Sequence, residues 1–164
     1  MQTDKFELIR RLEYRAHVLD NASRSIQQLQ NHIADIDVKV SRDTANDLYR
    51  LVDAIDEADT VSQIETATYT AEQRIYGLTE EAEPNVTVDK QDLLWRTRSR
   101  VNLLDGIAEQ IRKVEHGLSD IEGETTDKLD EGVLDVEEAD DIAVLQTAVM
   151  NTEHAVNEHL QQQG

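Results

Sequence analysis

The stretch Leu8 to Val40, LIRRLEYRAHVLDNASRSIQQLQNHIADIDVKV, decides the fold. Leu8, Leu12, Arg15, Leu19, Ala22, Ile26, Leu29, Ile33, Ile36 and Val40 alternate by four and three. That is the a/d spacing of a helix laying a narrow apolar seam against a partner helix, and it contains no Gly or Pro. Eighty-five residues later the same steps land on Leu93, Thr97, Arg100, Leu104, Ile107, Ile111, Val114, Leu118 and Ile121. The likeness goes beyond apolar spacing. Asp4, Lys5, Arg11, Arg15, Asp20 and Asp35 recur as Asp89, Lys90, Arg96, Arg100, Asp105 and Asp120.

Between the two seams, the spacing predicts a returning helix capped by Ser41, with Leu48, Val52, Ile55 and Ala58 on its apolar side. The seam slips at Ala58, where Thr60 and Gln63 form a capping box, so a break near Asp59 is expected. Val61, Ile64, Thr68, Ala71, Ile75 and Leu78 continue beyond it. The second return leg realigns 81 residues on, with Ala58, Asp59, Thr66, Ala67 and Glu72 recurring as Ala139, Asp140, Thr147, Ala148 and Glu153. A loss of four residues near the second hairpin tip accounts for the change of offset. The expected fold is all-α, a tandem duplication of a long, coiled-coil-like antiparallel hairpin with broken return helices. Together the hairpins give a four-helix-bundle-type architecture. The first repeat is residues 1–83, a linker with the only proline (Pro84) is 84–88, and the second repeat is 89–164. Closing the first hairpin near residue 41 sets Leu8 by Ile75, Arg15 by Thr68 and Leu19 by Ile64. Flanking apolar residues such as Ile9, Val18, Val38, Leu51, Leu94, Val101 and Leu103 are left for packing between hairpins or for self-association.

Composition narrows the function. The chain has 164 residues, no cysteine and six aromatics, too few for a thick layered core but enough for helix-on-helix seams. Disulfides and thiolate metal sites are excluded. No apolar run approaches the roughly 18 residues a membrane span needs, and the N-terminus lacks a secretory pattern, so the expected location is the cytoplasm or a soluble assembly such as a virion. The formal charge is −19, with 35 acids, 16 bases and few lysines. This fits a protein working in high salt, where a dense carboxylate surface keeps the chain hydrated. The charge is unevenly spread: residues 1–50 balance to zero and 90–115 to +2, whereas 51–89 carry −9 and 116–164 carry −12. Outgoing legs that are neutral to basic can select acidic return legs.

No reaction chemistry is legible. A glycine-rich phosphate loop, a nucleophile elbow and a Ser/His/Asp arrangement are all missing. None of the five histidines has the Glu-x-x-His spacing of a di-metal bundle, so neither cofactor nor metal is expected. Two groups of residues stand out. Arg10, Arg11 and Tyr14, with their counterparts Trp95, Arg96 and Arg98, mix bases with aromatics and are candidate interfaces, Trp95 foremost. Arg15 and Arg100 occupy seam positions where a hydrophobe belongs, and Glu72 and Glu153 are their candidate partners in setting register. The expected function is a non-enzymatic scaffold or adaptor, binding itself or other proteins of a larger assembly, one version being a virion or machine component of a halophile. The alternative is an acidic regulatory module that occupies a basic, nucleic-acid-binding partner.

Overall fold

The computed structural model describes residues 4–36, 39–78 and 86–163. Among these residues the protein is all-helical. The order is α1 (Lys5–Ala34), α2 (Arg42–Glu57), α3 (Val61–Tyr76), α4 (Lys90–Ser119), α5 (Asp127–Glu138) and α6 (Ile142–Gln163). Val38 and Pro84 lie outside the described residues. Every described apolar seam position from Leu8 to Val40 and from Leu93 to Ile121 is buried. The first helix stops at Ala34 rather than near Val40; Val40 instead exchanges two 2.8 Å backbone hydrogen bonds with Val86.

Local chemistry accounts for the helix boundaries. Ser41 accepts from the Thr44 amide at 3.1 Å, and Thr126, 85 residues on, accepts from the Leu129 amide at 3.3 Å. Thr60 accepts from the Gln63 amide at 3.0 Å while Gln63 returns a bond to the Asp59 amide. Asp141, the counterpart of Thr60, caps Val144 in the same way at 3.1 Å. Helix α2 has 16 residues and α5 has 12, which places the four-residue loss inside α5. Four residues are close to one helical turn, so the buried face survives as Leu129, Val133 and Val136.

The breaks do more than interrupt the return legs. Arg74, late in α3, bonds Asp47 and Thr44, early in α2. Lys128, early in α5, likewise reaches Glu158, late in α6, at 3.2 Å. The chain therefore reverses at Ala58–Thr60 and again near Ala139, and each return leg folds back on itself. A 30-residue helix is about 45 Å long and a 16-residue helix about 24 Å, so a short pair covers half of a long helix. Compact units follow from that arithmetic. One unit joins Met1–Asn21 to Leu104–Gly164, and the other is Ala22–Leu103. Both boundaries fall near the midpoints of α1 and α4. Leu8, Arg15 and Leu19 fall in one unit, and Ile75, Thr68 and Ile64 in the other.

In the first unit, the start of α1 lies antiparallel to the end of α4, beside α5 and α6. Lys5 Nζ donates to the carbonyls of Ser119 and Ile121 at 3.2 and 2.5 Å. In the second unit, the end of α1 meets the start of α4 beside α2 and α3, and Lys90 Nζ donates to the Ala34 carbonyl at 3.0 Å. Lys5 and Lys90 are counterparts, as are Ala34 and Ser119. Each lysine thus satisfies carbonyls that a helix C-terminus leaves without intrahelical partners.

Glycines in the second half mark close approach in one place and open space in another. A Cβ on Gly132 would lie 2.7 Å from Thr152 Oγ1, whereas one on Gly106 meets nothing within 4 Å. Gly106→Ala should stabilise by about 0.5–1 kcal/mol through helix propensity. Gly132→Ala should destabilise by about 1–3 kcal/mol, because Thr152 is buried and bonded to the Ala148 carbonyl at 2.7 Å. Urea midpoints of the two variants moving in the same direction would contradict this packing.

Candidate protein-interaction surface

The sequence nominated ten cations and aromatics or their partners, and the structure sorts them by what each side chain already holds. Arg11, in the first unit, donates from Nε to Glu137 at 2.6 Å. Its counterpart Arg96, in the second, grips Asp53 at 2.7 and 2.9 Å and Asp92 at 3.1 Å, with its guanidinium 5.0 Å from the Tyr49 ring centre. The hydrogen bonds that Arg96 donates to Asp92 and Asp53 hold its pKa above its ordinary value. Arg10 bonds Glu7 at 2.5 Å on the surface. The basic outgoing legs are therefore matched to acidic short helices, α1 with α5 and α4 with α2.

The seam arginines donate to backbone carbonyls at helix ends. Arg15 donates to the backbone carbonyl of Ala139, the residue that ends α5. Arg100 donates from Nε and Nη2 to the carbonyl of Asp56, in the last turn of α2. A guanidinium there meets both orphan carbonyls and the negative end of the helix dipole. Glu72 is paired instead with His32, whose Nδ1 lies 2.6 Å from its carboxylate. Glu153 is half-buried, and the residue equivalent to His32 on α4 is Gly117, which has no side chain to offer it. The sequence located the polar seam positions but not their partners, since only the chain reversals bring a helix C-terminus within reach.

Among the nominated residues, a strip of α4 is left uncommitted. Trp95 is 70% exposed, and Arg98, also exposed, makes no ion pair among the described residues. Two surface clefts flank this strip. One, of about 420 Å³, is lined by Asp56, Trp95, Arg96, Arg98, Ser99 and Asn102. The other, of about 490 Å³, includes Gln27, Gln30, Leu94, Arg98, Val101 and Asn102. Arg98 and Asn102 form the wall common to both. In the first unit the aromatics Tyr14 and Phe6 are exposed.

Sequence reasoning missed a buried acid. Glu115 on α4 is only 9% exposed and faces Glu13 on α1, while Arg112 reaches Glu13 at 3.2 Å and Asp20 at 2.5 Å. Burial, then the hydrogen bond to Glu13 and its charge, push the Glu115 carboxyl up to about 8. Burial acts on Glu13 in the same sense, but hydrogen bonds from Arg112 and Glu115 outweigh it and hold that carboxyl below its ordinary value. The equivalent of Glu115 in the first half is Gln30, which donates to Thr97 at 2.8 Å. The residue equivalent to Glu13 is Arg98, so the groove filled by ions in one unit is an open, amide-lined cleft in the other.

Among the described residues, no group of three or more His, Asp or Glu side chains could hold a metal, and no helix is long and apolar enough to cross a membrane. No known protein family matches the chain, and no curated protein or solved structure resembles it at a significant level. The surface has to be read from its own chemistry.

Proposed function

We propose that this protein is a non-enzymatic assembly component, an internally duplicated helical scaffold that binds other protein surfaces through the Trp95–Arg98 strip of α4. The observation carrying the proposal is the contrast within the basic residues. Arg10, Arg11, Arg15, Arg96 and Arg100 are bonded internally, whereas Arg98 stands unpaired beside the exposed indole of Trp95. Tryptophan and arginine are the side chains most often found at the energetic centre of protein interfaces, and a long helix holds them without ordering cost. Recurrence of helix starts, caps and lysine contacts at offsets of 85 and 81 supports a tandem duplication of one helical repeat. The net charge of −19 supports work in high salt, within the cytoplasm or as part of a virion or similar assembly.

A photo-crosslinking residue placed at the exposed Asn102, which lines both clefts, in cells that make the protein should give discrete adducts, identified by mass spectrometry, that the same residue at Glu109 farther along α4 does not. Adducts equal at the two positions, or none at Asn102, would dispose of the strip as a binding surface. Adducts confined to basic nucleic-acid-binding proteins and made through the acidic α5 and α6 surfaces would favour the regulatory-module reading.

A further inference from the structure

Comparison of the two halves position by position shows where the repeat has been broken on the surface, and the breaks are complementary. At the first, Arg10, paired with Glu7, is replaced by the exposed Trp95, and Glu13 by the unpaired Arg98. The second lies at the elbows where the short helices reverse. The α2–α3 elbow holds a cleft of about 520 Å³ lined by Ala54, Glu57, Ala58, Ser62, Gln63, Thr66 and Ala67. The α5–α6 elbow holds one of about 530 Å³ at the positions 81 residues on. There, Asp135 replaces Ala54 and Val144, 56% exposed, replaces Gln63, while Glu138 is kept from Glu57. This elbow has therefore gained a carboxylate and, in Ala143 and Val144, two apolar side chains where the other elbow has Ser62 and Gln63. Neither Asp135 nor Glu138 makes an ion pair among the described residues.

We propose that the occupant of the Trp95–Arg98 strip is the α5–α6 elbow of a second copy of this chain, an inference that rests on the assembly reading above. The indole of Trp95 lies on Val144 and Ala143, and the Arg98 guanidinium meets Asp135 and Glu138. Charge complementarity selects this pairing. Copies carrying −19 each repel one another, so an approach is favourable only where a cation without a local acid meets acids without a local cation. The strip and the elbow lie at non-equivalent positions of the chain. The contact is therefore heterologous, head to tail, and propagates into a ring or filament instead of stopping at a twofold dimer.

The test is sedimentation of the full chain over about 0.15 to 1 M salt, a range in which the Debye length shrinks from about 8 to about 3 Å. The wild type should show concentration-dependent species larger than a dimer. Trp95→Ala should weaken association by about 30-fold or more, the loss typical of an anchoring residue. Arg98→Glu and Glu138→Arg should each be monomeric alone and should co-assemble when mixed, since one reversed and one native pair then form between alternating chains. Trp95, Arg98 and Glu138 are all exposed, so unchanged helical circular dichroism will show that the fold is kept. A wild type that stays monomeric, a Glu138→Arg variant that associates like the parent, or a mixture that stays monomeric would each overturn the inference. The crosslinker at position 102 separates the two readings. Adducts on 135–151 of a second chain support both, adducts on another protein leave only the assembly reading, and no adducts remove both.

Discussion

Replacing Arg15 and Arg100 together with methionine should lower stability by about 2–4 kcal/mol, with the larger share from Arg15. Methionine keeps much of the apolar stem that either arginine lays along the seam, so the loss reports the guanidinium. Arg15 donates in a part-buried setting to the carbonyl that ends α5, where water is a poor replacement donor. A charge-assisted bond in such a place is worth about 1.5–3 kcal/mol. Arg100 makes its bonds to Asp56 in a more solvated position, which reduces the expected loss to about 0.5–1.5 kcal/mol. The sites lie in different compact units and share no partner, so the two losses should add within a few tenths of a kcal/mol. Arg15→Lys should recover only part of its share, having one compact donor where the fork had several. Denaturant melts measure all of this. A double-mutant cycle between Arg15 and Glu72 should show no coupling, and measurable coupling there would restore the carboxylate pairing that the structure replaces.

That pair of arginines also shows what could be read from the chain and what could not. The four-three spacing fixed the buried side of α1 and α4 because the seam residues have no competing interpretation: apolar side chains at that period face inward whichever partner covers them. Ser41 and Thr60 marked helix starts because capping is local, a side-chain oxygen bonding an amide two or three residues away. The direction taken after Glu57 is not local. An extended Ala58 followed by a capped Thr60 serves equally for a slight bend and for a reversal. The balance is tipped by helix lengths, 16 residues against 30, together with contacts such as Arg74 with Asp47. Once the return leg doubles back, the start of α1 finds α5 and α6 beside it, and every partner of its polar residues changes. Arg11 meets Glu137 and Arg15 meets Ala139 for that reason. Trp95 was recognisable as an interface candidate from its neighbours; that Arg98 alone of those arginines would stay unpaired depended on Asp53 and Asp56 being carried to the same helix face.

The pH dependence of stability should carry the signature of Glu115. With its folded-state carboxyl raised to about 8, the native chain binds a proton there more tightly than the unfolded chain does. Below the unfolded value near 4.5 both states are protonated and the favourable Glu115–Glu13 contact is fully present. As pH rises from there through about 8, stability is lost with a slope approaching about 1.4 kcal/mol per pH unit. Glu13 contributes in the opposite sense, since its lowered value adds stability that is present above 4.5 and disappears in acid. The groups facing Glu115 are Glu13 from α1 and Arg112 from its own helix, and Arg112 is held in place by Asp20. Glu115→Gln keeps the donor that the protonated acid provides and removes its titration. The variant should match the parent near pH 5, be more stable by on the order of 2–3 kcal/mol at pH 8.5, and lose the downward slope between. Gln30 already fills the equivalent place in the other unit, so the amide is compatible with this helix pair. Parallel stability curves for parent and variant between pH 5 and 9 would show that Glu115 ionises freely, and that the groove between α1 and α4 admits water where the structure closes it.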